Sequence, residues 1–177
     1  MSHSTCDLCD EHEGLLQVAE PVFKSYGGRS AFSGEISTIK CPEDNSLVRE
    51  RVATPGHGKV LIIDGFGSLR RSLLGDQLGE KAVANGWHGI VVFGAVRDVE
   101  ALEQLNLGVL ALGAIPLKTD KQGAGQRDVT LRFAGVTFVP GHYVYADRNG
   151  LVVAPAALNK YSAEVSALPD TAGPAVL

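Results

Sequence analysis

Uninterrupted apolar runs alternate with amphipathic stretches through the middle of the chain. The runs are Lys59–Asp64, Gly89–Phe93 and Gly108–Ile115, and such runs are typical of strands buried on both faces of a parallel sheet. Between them, Asp76–Asn85 has apolar residues close to helical spacing, and a second helix is predicted from Asp98 to about Asn106. This strand–helix–strand–helix–strand order predicts right-handed crossovers and a parallel sheet.

The flanking segments extend this pattern. Ser4 is predicted to cap a helix that runs to about Glu13, Gly34–Cys41 to form a strand, and Ser46–Ala53 to form a helix. After a polar, glycine-rich loop over Lys118–Arg127, four short β-rich segments predict an antiparallel extension: Val129–Phe133, Val136–Val139, Tyr143–Asp147 and Leu151–Ala154. We therefore expect one α/β domain over residues 1–177, with a frayed tail from about Leu168.

Composition and charge narrow the classes of function. The chain has 177 residues, enough to bury a sizeable core without disulfides. Its formal net charge of −4 disfavours nucleic-acid binding, which needs a basic surface, and leaves open a basic protein partner. Its longest stretch without polar residues, Leu107–Leu117, is too short to span a membrane. With three cysteines and no recognisable secretion signal, these features predict a cytoplasmic protein.

Two motifs suggest chemistry that their spacing does not support. His3, Cys6, Cys9 and His12 recur every three residues, but on a helix they spread over half the circumference and do not converge on one ion. The segment Gly65–Arg70 follows a buried strand like a dinucleotide fingerprint, but Arg70 replaces its third glycine. The first segment is therefore interpreted as a core-facing helix and the second as a tight turn. Arg70 and Arg71 are either partners of an acidic ligand or solvated charges.

Charged residues follow two of the buried strands at their carboxyl ends. Asp76 opens a helix after the first strand, and Arg97 and Asp98 follow the second. Because parallel sheets bind ligands at this edge, the three residues are expected to share one crevice. Two carboxylates suit a hard divalent ion, a guanidinium suits a substrate carboxylate or enolate, and the N–H groups of Gln77 and Leu78 add an anion site. The alternative is that both aspartates cap helices and Arg97 pairs with one of them.

The spacing of these charged residues resembles a family signature. Asp76, twenty intervening residues and then Arg97-Asp98 match the D-x20-R-D pattern of the RraA family, which includes class II 4-hydroxy-4-methyl-2-oxoglutarate aldolases and the regulator of ribonuclease activity A. The similarity covers roughly Thr5–Pro155. Further segments resemble the regulator branch: Leu8-Cys9-Asp10, Glu20-Pro21-Val22-Phe23, Gly27-Gly28-Arg29-Ser30, Thr38-Ile39-Lys40-Cys41, Glu43-Asp44-Asn45, Gly94-Ala95-Val96-Arg97, Gly135-Val136-Thr137-Phe138 and Tyr145-Ala146-Asp147.

The resemblance implies an α/β/α sandwich of the swivelling-domain type, assembled as a homotrimer or a dimer of trimers with sites at subunit boundaries. It also implies roles for individual residues. Gly75-Asp76-Gln77-Leu78 matches the family's substrate-binding turn, Arg97 its substrate arginine and Asp98 its metal ligand. The implied cofactor is a divalent cation, Mg²⁺ or Mn²⁺. An older assignment of the family as a menaquinone-pathway methyltransferase fits poorly with the incomplete glycine motif.

Two functions from different classes follow. The first is a metal-dependent lyase acting on a small 2-oxo acid, which cleaves 4-hydroxy-4-methyl-2-oxoglutarate and decarboxylates oxaloacetate through a shared pyruvate enolate. Its general base is left open among Asp76, a metal-bound water and an acid from a neighbouring subunit. The alternative is a protein that binds the endoribonuclease RNase E and inhibits it without binding RNA. Arg49 and Arg148 are interpreted as residues of a solvated helix face and of a turn.

Overall fold

The computed structural model describes residues 4–158, which form four helices and twelve strands. The helices are α1 (Thr5–Glu11), α2 (Ser46–Val52), α3 (Asp76–Ala84) and α4 (Val99–Leu102). The strands are β1 (Gln17–Val18), β2 (Lys24–Ser25), β3 (Phe32–Lys40), β4 (Lys59–Asp64), β5 (Ser72–Leu74), β6 (Gly89–Val96), β7 (Gly108–Ala114), β8 (Gln126–Arg127), β9 (Leu131–Phe133), β10 (Val136–Phe138), β11 (Tyr143–Asp147) and β12 (Gly150–Ala154).

One large sheet organises the molecule, in the order β1-β12-β11-β3-β4-β6-β7-β2. Its centre, β3-β4-β6-β7, is parallel, and the three predicted apolar runs form β4, β6 and β7. The strands β11, β12 and β1 continue the sheet antiparallel on one side, and β2 pairs antiparallel with β7 on the other. The predicted α/β class, with a partly parallel sheet and an antiparallel extension, is confirmed.

The helices α2, α3 and α4 cover one face of the parallel centre. Each crossover steps the same way across the sheet, and right-handed crossovers that do so carry their helices on one face. Strand alternation sends Leu61 and Ile63 of β4 to that face, where they join Val48, Ala82 and Leu102 from the three helices in one buried cluster.

A two-stranded hairpin, β9–β10, supplies the layer on the opposite face. Val60 and Ile62, the alternate residues of β4, belong to the core cluster that this hairpin completes. Phe133 lies at its centre, with ring centroids 4.6 Å from both Phe93 and Phe138. Because β4 is buried on both faces, its sequence is a continuous apolar run and does not alternate between apolar and polar residues.

Two strands differ from the predicted pattern: β5 is not predicted, and β6 is longer than predicted. Ser72–Leu74, where no strand is predicted, pairs in parallel with β6, which continues to Val96 and not only to Phe93. A register shift in β6 between Val92 and Ala95 accompanies this change of partner. The outer half of β6 therefore pairs with β5, beyond the point where β4 ends.

The helix expected from Asp98 to about Asn106 is a single turn, α4. The N–H groups of Gly28 and Arg29 donate to the carbonyls of Leu105 and Leu107, at 3.1 and 3.2 Å. These bonds tie the segment after α4 to the chain before β3, so its carbonyls are not available to continue a helix.

The first helix agrees in part with the prediction from the sequence. Ser4 and Asp7 form the capping box of α1, which ends at Glu11, two residues before the predicted end. The tail from Leu168 lies outside the described residues. None of the helices in the described part of the chain has the length and apolar character needed to cross a bilayer.

Candidate active site

Strand register brings the charged residues together. Leu74, the last residue of β5, lies opposite Val96, the last residue of β6, and the Arg97 N–H donates to the Leu74 carbonyl at 2.9 Å. The next residues, Gly75 and Asp76 on one strand and Arg97 and Asp98 on the other, are therefore neighbours. The crevice forms at the carboxyl edge of the sheet, as expected, but beside β5 and not beside β4.

Gly75 leaves room for the charged pair. A Cβ atom at this position would lie 2.6 Å from Asp98 Oδ2 and 3.3 Å from Arg97 Cγ. The φ angle of Gly75 is −134°, which any residue adopts, so glycine is required here by the close approach and not by the backbone conformation.

One part of the capping alternative holds, since Arg97 pairs with Asp98, but neither aspartate caps its own helix through its side chain. The N-cap of α3 is Gly75, and Asp98 occupies the N-cap position of α4 without any side-chain cap hydrogen bond. Instead, Asp98 Oδ2 accepts from the Asp76 N–H at 3.3 Å and lies 3.6 Å from Arg97 Nε. Asp98 adopts a left-handed φ of 55°, and the Arg97 and Asp98 side chains are each 38% exposed. Asp98 thus links the two strand ends.

A cavity of about 300 Å³ opens beside this group, and we call it the Arg97 cavity. It contains every residue of the predicted substrate-binding set, namely Gly75, Asp76, Gln77, Leu78 and Arg97. The Gln77 N–H already donates to Asp76 Oδ1 at 2.7 Å. Of the two amide groups that the sequence singled out as an anion site, that of Leu78 is therefore the better placed to receive a ligand.

The rest of the lining is strongly cationic and is not among the predicted site residues. Four further cations line the cavity: Arg49, Lys81, Lys118 and Lys121. Arg49 is exposed on α2, as predicted, and it also lines the cavity, because α2 packs beside α3. Lys81 follows Leu78 by three residues, so helical spacing places both on one face of α3 and was the available signal.

A buried carboxylate fastens the loop that carries the two lysines. Asp44 is 3% exposed, and its Oδ2 accepts from the N–H groups of Gln122 and Ala124 at 2.7 and 3.1 Å. Its Oδ1 accepts from the Ser46 N–H and hydroxyl at 2.8 and 2.6 Å. Burial by itself raises the pKa of Asp44, but the hydrogen bonds from Ser46, Ala124 and Gln122 outweigh it and lower the pKa to about 2.

Two further contacts hold the same loop from the other side. The Thr119 hydroxyl donates to Asn45 Oδ1 at 2.7 Å, and Arg71 donates to the Lys118 carbonyl at 2.8 Å. Arg71 also lies 3.5 Å from an Asp120 carboxylate oxygen. The loop has little regular secondary structure, yet side chains fix it at residues 118–124, so its lysines are held at the cavity.

The donor atoms present fit a hard divalent cation. Asp76 and Asp98 present carboxylates from adjoining helix starts, and the space above Gly75 is kept open for the Asp98 oxygen. Across residues 4–158, no three His, Cys, Asp or Glu side chains are grouped so as to hold a metal. Mg²⁺ commonly uses one or two protein carboxylates with waters and substrate oxygens, so Asp98, alone or with Asp76, is sufficient for it.

The two disfavoured motifs lie elsewhere. Cys6 is exposed on α1, and burial raises the pKa of the half-buried Cys9 thiol, which opposes the thiolate form that binds metals. His3 lies outside the described residues. The glycine segment leads from β4 into strand β5, whereas a dinucleotide fingerprint leads directly into a helix N-terminus. Two residues of that segment, Ser68 and Arg70, donate hydrogen bonds to the Glu43 carboxylate, each at 2.6 Å.

The fold and the cavity are those of an α/β protein with a cationic ligand cavity at the carboxyl edge of its sheet. The chain belongs to the RraA-like family, described as Aldolase/RraA, which it matches over residues 5–153. A protein of Pseudomonas aeruginosa PAO1 is 60% identical over 158 residues, which is 89% of this chain and 98% of the relative. One from Hahella chejuensis is 55% identical over 159 residues, 90% and 97% of the two chains. Both carry the provisional name 4-hydroxy-4-methyl-2-oxoglutarate aldolase.

Two solved structures share the fold and much of the sequence. A Geobacillus kaustophilus protein described as an S-adenosylmethionine:2-dimethylmenaquinone methyltransferase is 47% identical, with a TM-score of 0.88 over 89% of this chain and 98% of that one. The RNA-processing inhibitor RraA from Thermus thermophilus is 45% identical, with a TM-score of 0.85 over 88% and 94% of the two chains. The predicted family is confirmed.

Asp44→Ala should destabilise the protein in a pH-dependent way. The folded-state pKa of about 2 is below the ordinary value of 3.8, so the carboxylate stabilises the fold above pH 4 and loses this effect as the pH falls from 4 to 2. Removing it should lower the free energy of unfolding by on the order of 2 kcal/mol at pH 7 and by less near pH 2. Urea unfolding across this pH range measures both quantities.

Asp10→Ala is the matched control, because Asp10 is an exposed aspartate on α1. It should change the free energy of unfolding by less than about 0.5 kcal/mol. A loss in Asp44→Ala that is equally small, or that does not decrease towards pH 2, would contradict the fastening role.

Proposed function

We propose that the chain is a divalent-metal-dependent, class II aldolase that cleaves 4-hydroxy-4-methyl-2-oxoglutarate to pyruvate. Decarboxylation of oxaloacetate through the same enolate is the proposed side activity. The observation that carries the proposal is that Arg97 and the start of α3 line one cationic cavity, while Asp98, which is not among the lining residues, contacts both of them at the strand junction. Close relatives that carry the aldolase name support it.

Asp98 is the proposed metal ligand, with Asp76 beside it. When bound, Mg²⁺ or Mn²⁺ would act as a Lewis acid that polarises the 2-oxo group of the substrate. The Asp76 N–H, which donates to Asp98 Oδ2 at 3.3 Å, orients that carboxylate towards the strand junction. A hydrogen bond to a metal-ligating carboxylate fixes the position of the carboxylate and adjusts its basicity.

Arg97 and the start of α3 orient the substrate. The guanidinium of Arg97 is placed to donate to the substrate carboxylate and to the oxygen on which enolate charge develops. The Leu78 N–H, at the positive end of α3, is placed to donate to the same anionic substrate. Both groups are oriented before the substrate arrives, because the Arg97 guanidinium lies 3.6 Å from Asp98 Oδ2 and Leu78 lies in the first turn of a regular helix.

Cleavage requires that the hydroxyl on carbon 4 lose its proton. The bond between carbons 3 and 4 then breaks, and the half that contains carbon 4 leaves as pyruvate. The electron pair of the broken bond remains on the other half, which becomes the pyruvate enolate. Protonation of this enolate at carbon 3 gives the second pyruvate. Asp76 is the proposed base, since it lines the cavity and one of its oxygens already accepts the Gln77 N–H, which fixes its orientation. An acid from a neighbouring subunit is the competing assignment.

The second candidate function is binding and inhibition of RNase E, and the similarity to the Thermus inhibitor supports it. It would use the outer surface and not the cavity, so the two functions are compatible. Assays of pyruvate release with and without a chelator, run beside RNA cleavage by RNase E, separate them. The glycine segment, which leads into a strand, gives no comparable support to a methyltransferase function.

The expected trimer or dimer of trimers stays a prediction. Three large apolar side chains in the loops beside β5 are 50–56% exposed: Phe66, Leu69 and Leu117. The two loops are joined by the bond from the Ser72 N–H to the Leu117 carbonyl, at 2.8 Å. Apolar groups held in fixed loops favour a subunit contact close to the cavity.

Arg97→Ala should lower kcat/KM for pyruvate release by on the order of 10² or more, because it removes a preorganised donor to the developing enolate. Arg97→Lys should recover little, since lysine keeps the charge and loses the planar fork. Steady-state kinetics and thermal unfolding on the same preparations measure turnover and stability together.

Arg148→Ala is the control, because Arg148 is exposed in the turn between β11 and β12. It should change kcat/KM by less than about threefold. If Arg97 serves only its ion pair with Asp98, Arg97→Ala would lose stability and keep its turnover, and the catalytic assignment would be abandoned.

Asp98→Asn should abolish metal-dependent activity while the protein stays folded, because asparagine tolerates the left-handed conformation at this position. Gly75→Ala should act in the same direction, since its new methyl group takes the space of Asp98 Oδ2. Mn²⁺ binding, followed by electron paramagnetic resonance, should weaken in both variants alongside activity.

Gly113→Ala is the matched control for Gly75→Ala, because its Cβ would meet only a Leu69 methyl group, at 3.6 Å. It should retain Mn²⁺ binding and turnover. Full activity of Asp98→Asn, or full activity of the wild type in excess chelator, would overturn the metal-dependent mechanism.

A further inference from the structure

The lining of the Arg97 cavity is positively charged, although the chain as a whole is negatively charged. The whole protein has a net charge of −4. Among the described residues that line this cavity, however, five are cationic and one, Asp76, is acidic. Arg97 accounts for one end of an anionic substrate. The remaining cations lie on other elements, so they mark a second place where negative charge is favoured.

Three of these cations stand between two hollows. A second hollow of about 370 Å³ adjoins the Arg97 cavity, and we call it the outer hollow. The two share Arg49, Lys81 and Lys121, which we call the cationic trio. A ligand held at Arg97 that extends away from the strand junction therefore meets the trio before it reaches the outer hollow.

The acids near the trio are engaged elsewhere. Glu50, which lines the outer hollow, pairs with Arg127, and Asp120 pairs with Arg71. Asp44 accepts only from the hydroxyl and N–H groups named above. Within residues 4–158, no carboxylate lies within ion-pair distance of any member of the trio.

The side chains of the trio are exposed, but the backbone that carries them is fixed. Arg49 and Lys81 lie on α2 and α3, which pack against each other. Lys121 lies next to Gln122, whose N–H donates to the buried Asp44 carboxylate at 2.7 Å. Three like charges held together on separate elements repel one another, and an anion between them removes that repulsion.

We propose that Arg49, Lys81 and Lys121 bind a second anionic group of the substrate, on the half that leaves as the carbonyl product. The inference rests on the proposed aldolase function and deepens it. The 2-oxo carboxylate is held at Arg97 and the start of α3, and the second carboxylate, borne by carbon 4, is held by the trio. The site is therefore selective for dianionic 2-oxo acids over analogues that lack the second charge.

Kinetics with a matched pair of substrates test this assignment. Lys81→Met and Lys121→Met should each raise KM for 4-hydroxy-4-methyl-2-oxoglutarate about tenfold, the value expected for a lost charge-assisted contact. With 4-hydroxy-2-oxopentanoate, which lacks the second carboxylate, KM should change by less than about twofold. Lys24→Met, on the exposed edge strand β2, is the control and should alter neither substrate.

A binding measurement separates this inference from the proposed function. Glutarate, an unreactive dicarboxylate, should bind the wild type more tightly than butyrate in calorimetry, and Lys81→Met should remove the difference. A wild type that releases no pyruvate but shows this pattern would overturn the aldolase and support the trio. A wild type that releases pyruvate, with KM and glutarate affinity unchanged in both variants, would overturn the trio alone. Equal losses on both substrates would also overturn it.

Discussion

Two backbone pairings, Ser72 with Ala95 and Leu74 with Val96, hold β5 beside the outer half of β6. They fix which residues meet where the strands end. Because both strands run in the same direction and stop at the same level, Gly75 and Arg97 leave the sheet side by side. Glycine then lets the two chains approach until the Asp98 carboxylate reaches the start of α3. Any other side chain at position 75 would displace the charged pair.

The second constraint is the buried carboxylate of Asp44. A polar loop with two glycines, Gly123 and Gly125, would ordinarily be mobile, and its lysines would be solvated charges. Asp44 accepts four hydrogen bonds, two of them from the backbone of that loop, and so converts it into a fixed wall of the cavity. The low pKa of Asp44 is the electrostatic consequence of the same contacts.

The two constraints divide the cavity between them. In the proposed function, the strand junction provides a carboxylate for a hard cation and a guanidinium for the reacting end of a 2-oxo acid. The fastened loop, with α2 and α3, supplies positive charge at some distance from that end. This separation of charge types suits a substrate that is anionic at both ends, because each end meets a complementary group without competing for the same one.

Local pattern predicted much of the fold. The strands over Lys59–Asp64 and Gly89–Phe93, and the first four residues of Gly108–Ile115, are almost entirely buried, so their apolar character is continuous and visible in the sequence. The capping box of α1 and the start of α3 each depend on residues within one helical turn, so the local sequence predicts them as well. The grouping of Asp76 with Arg97 and Asp98 followed from the rule that parallel strands present their carboxyl ends at one edge.

Tertiary structure alone decided the rest. Ser72–Leu74 is too short to be predicted as a strand from its sequence. It forms a strand because the outer half of β6, beyond the register shift, is available to pair with it. The single turn of α4 is set by Gly28 and Arg29, more than seventy residues earlier in the chain. Lys118 and Lys121 resembled solvated loop residues, since the carboxylate that fixes them lies about seventy-five positions away. Sequence determines which residues carry charge and which strands are buried; long-range hydrogen bonds determine which of those charges face one another.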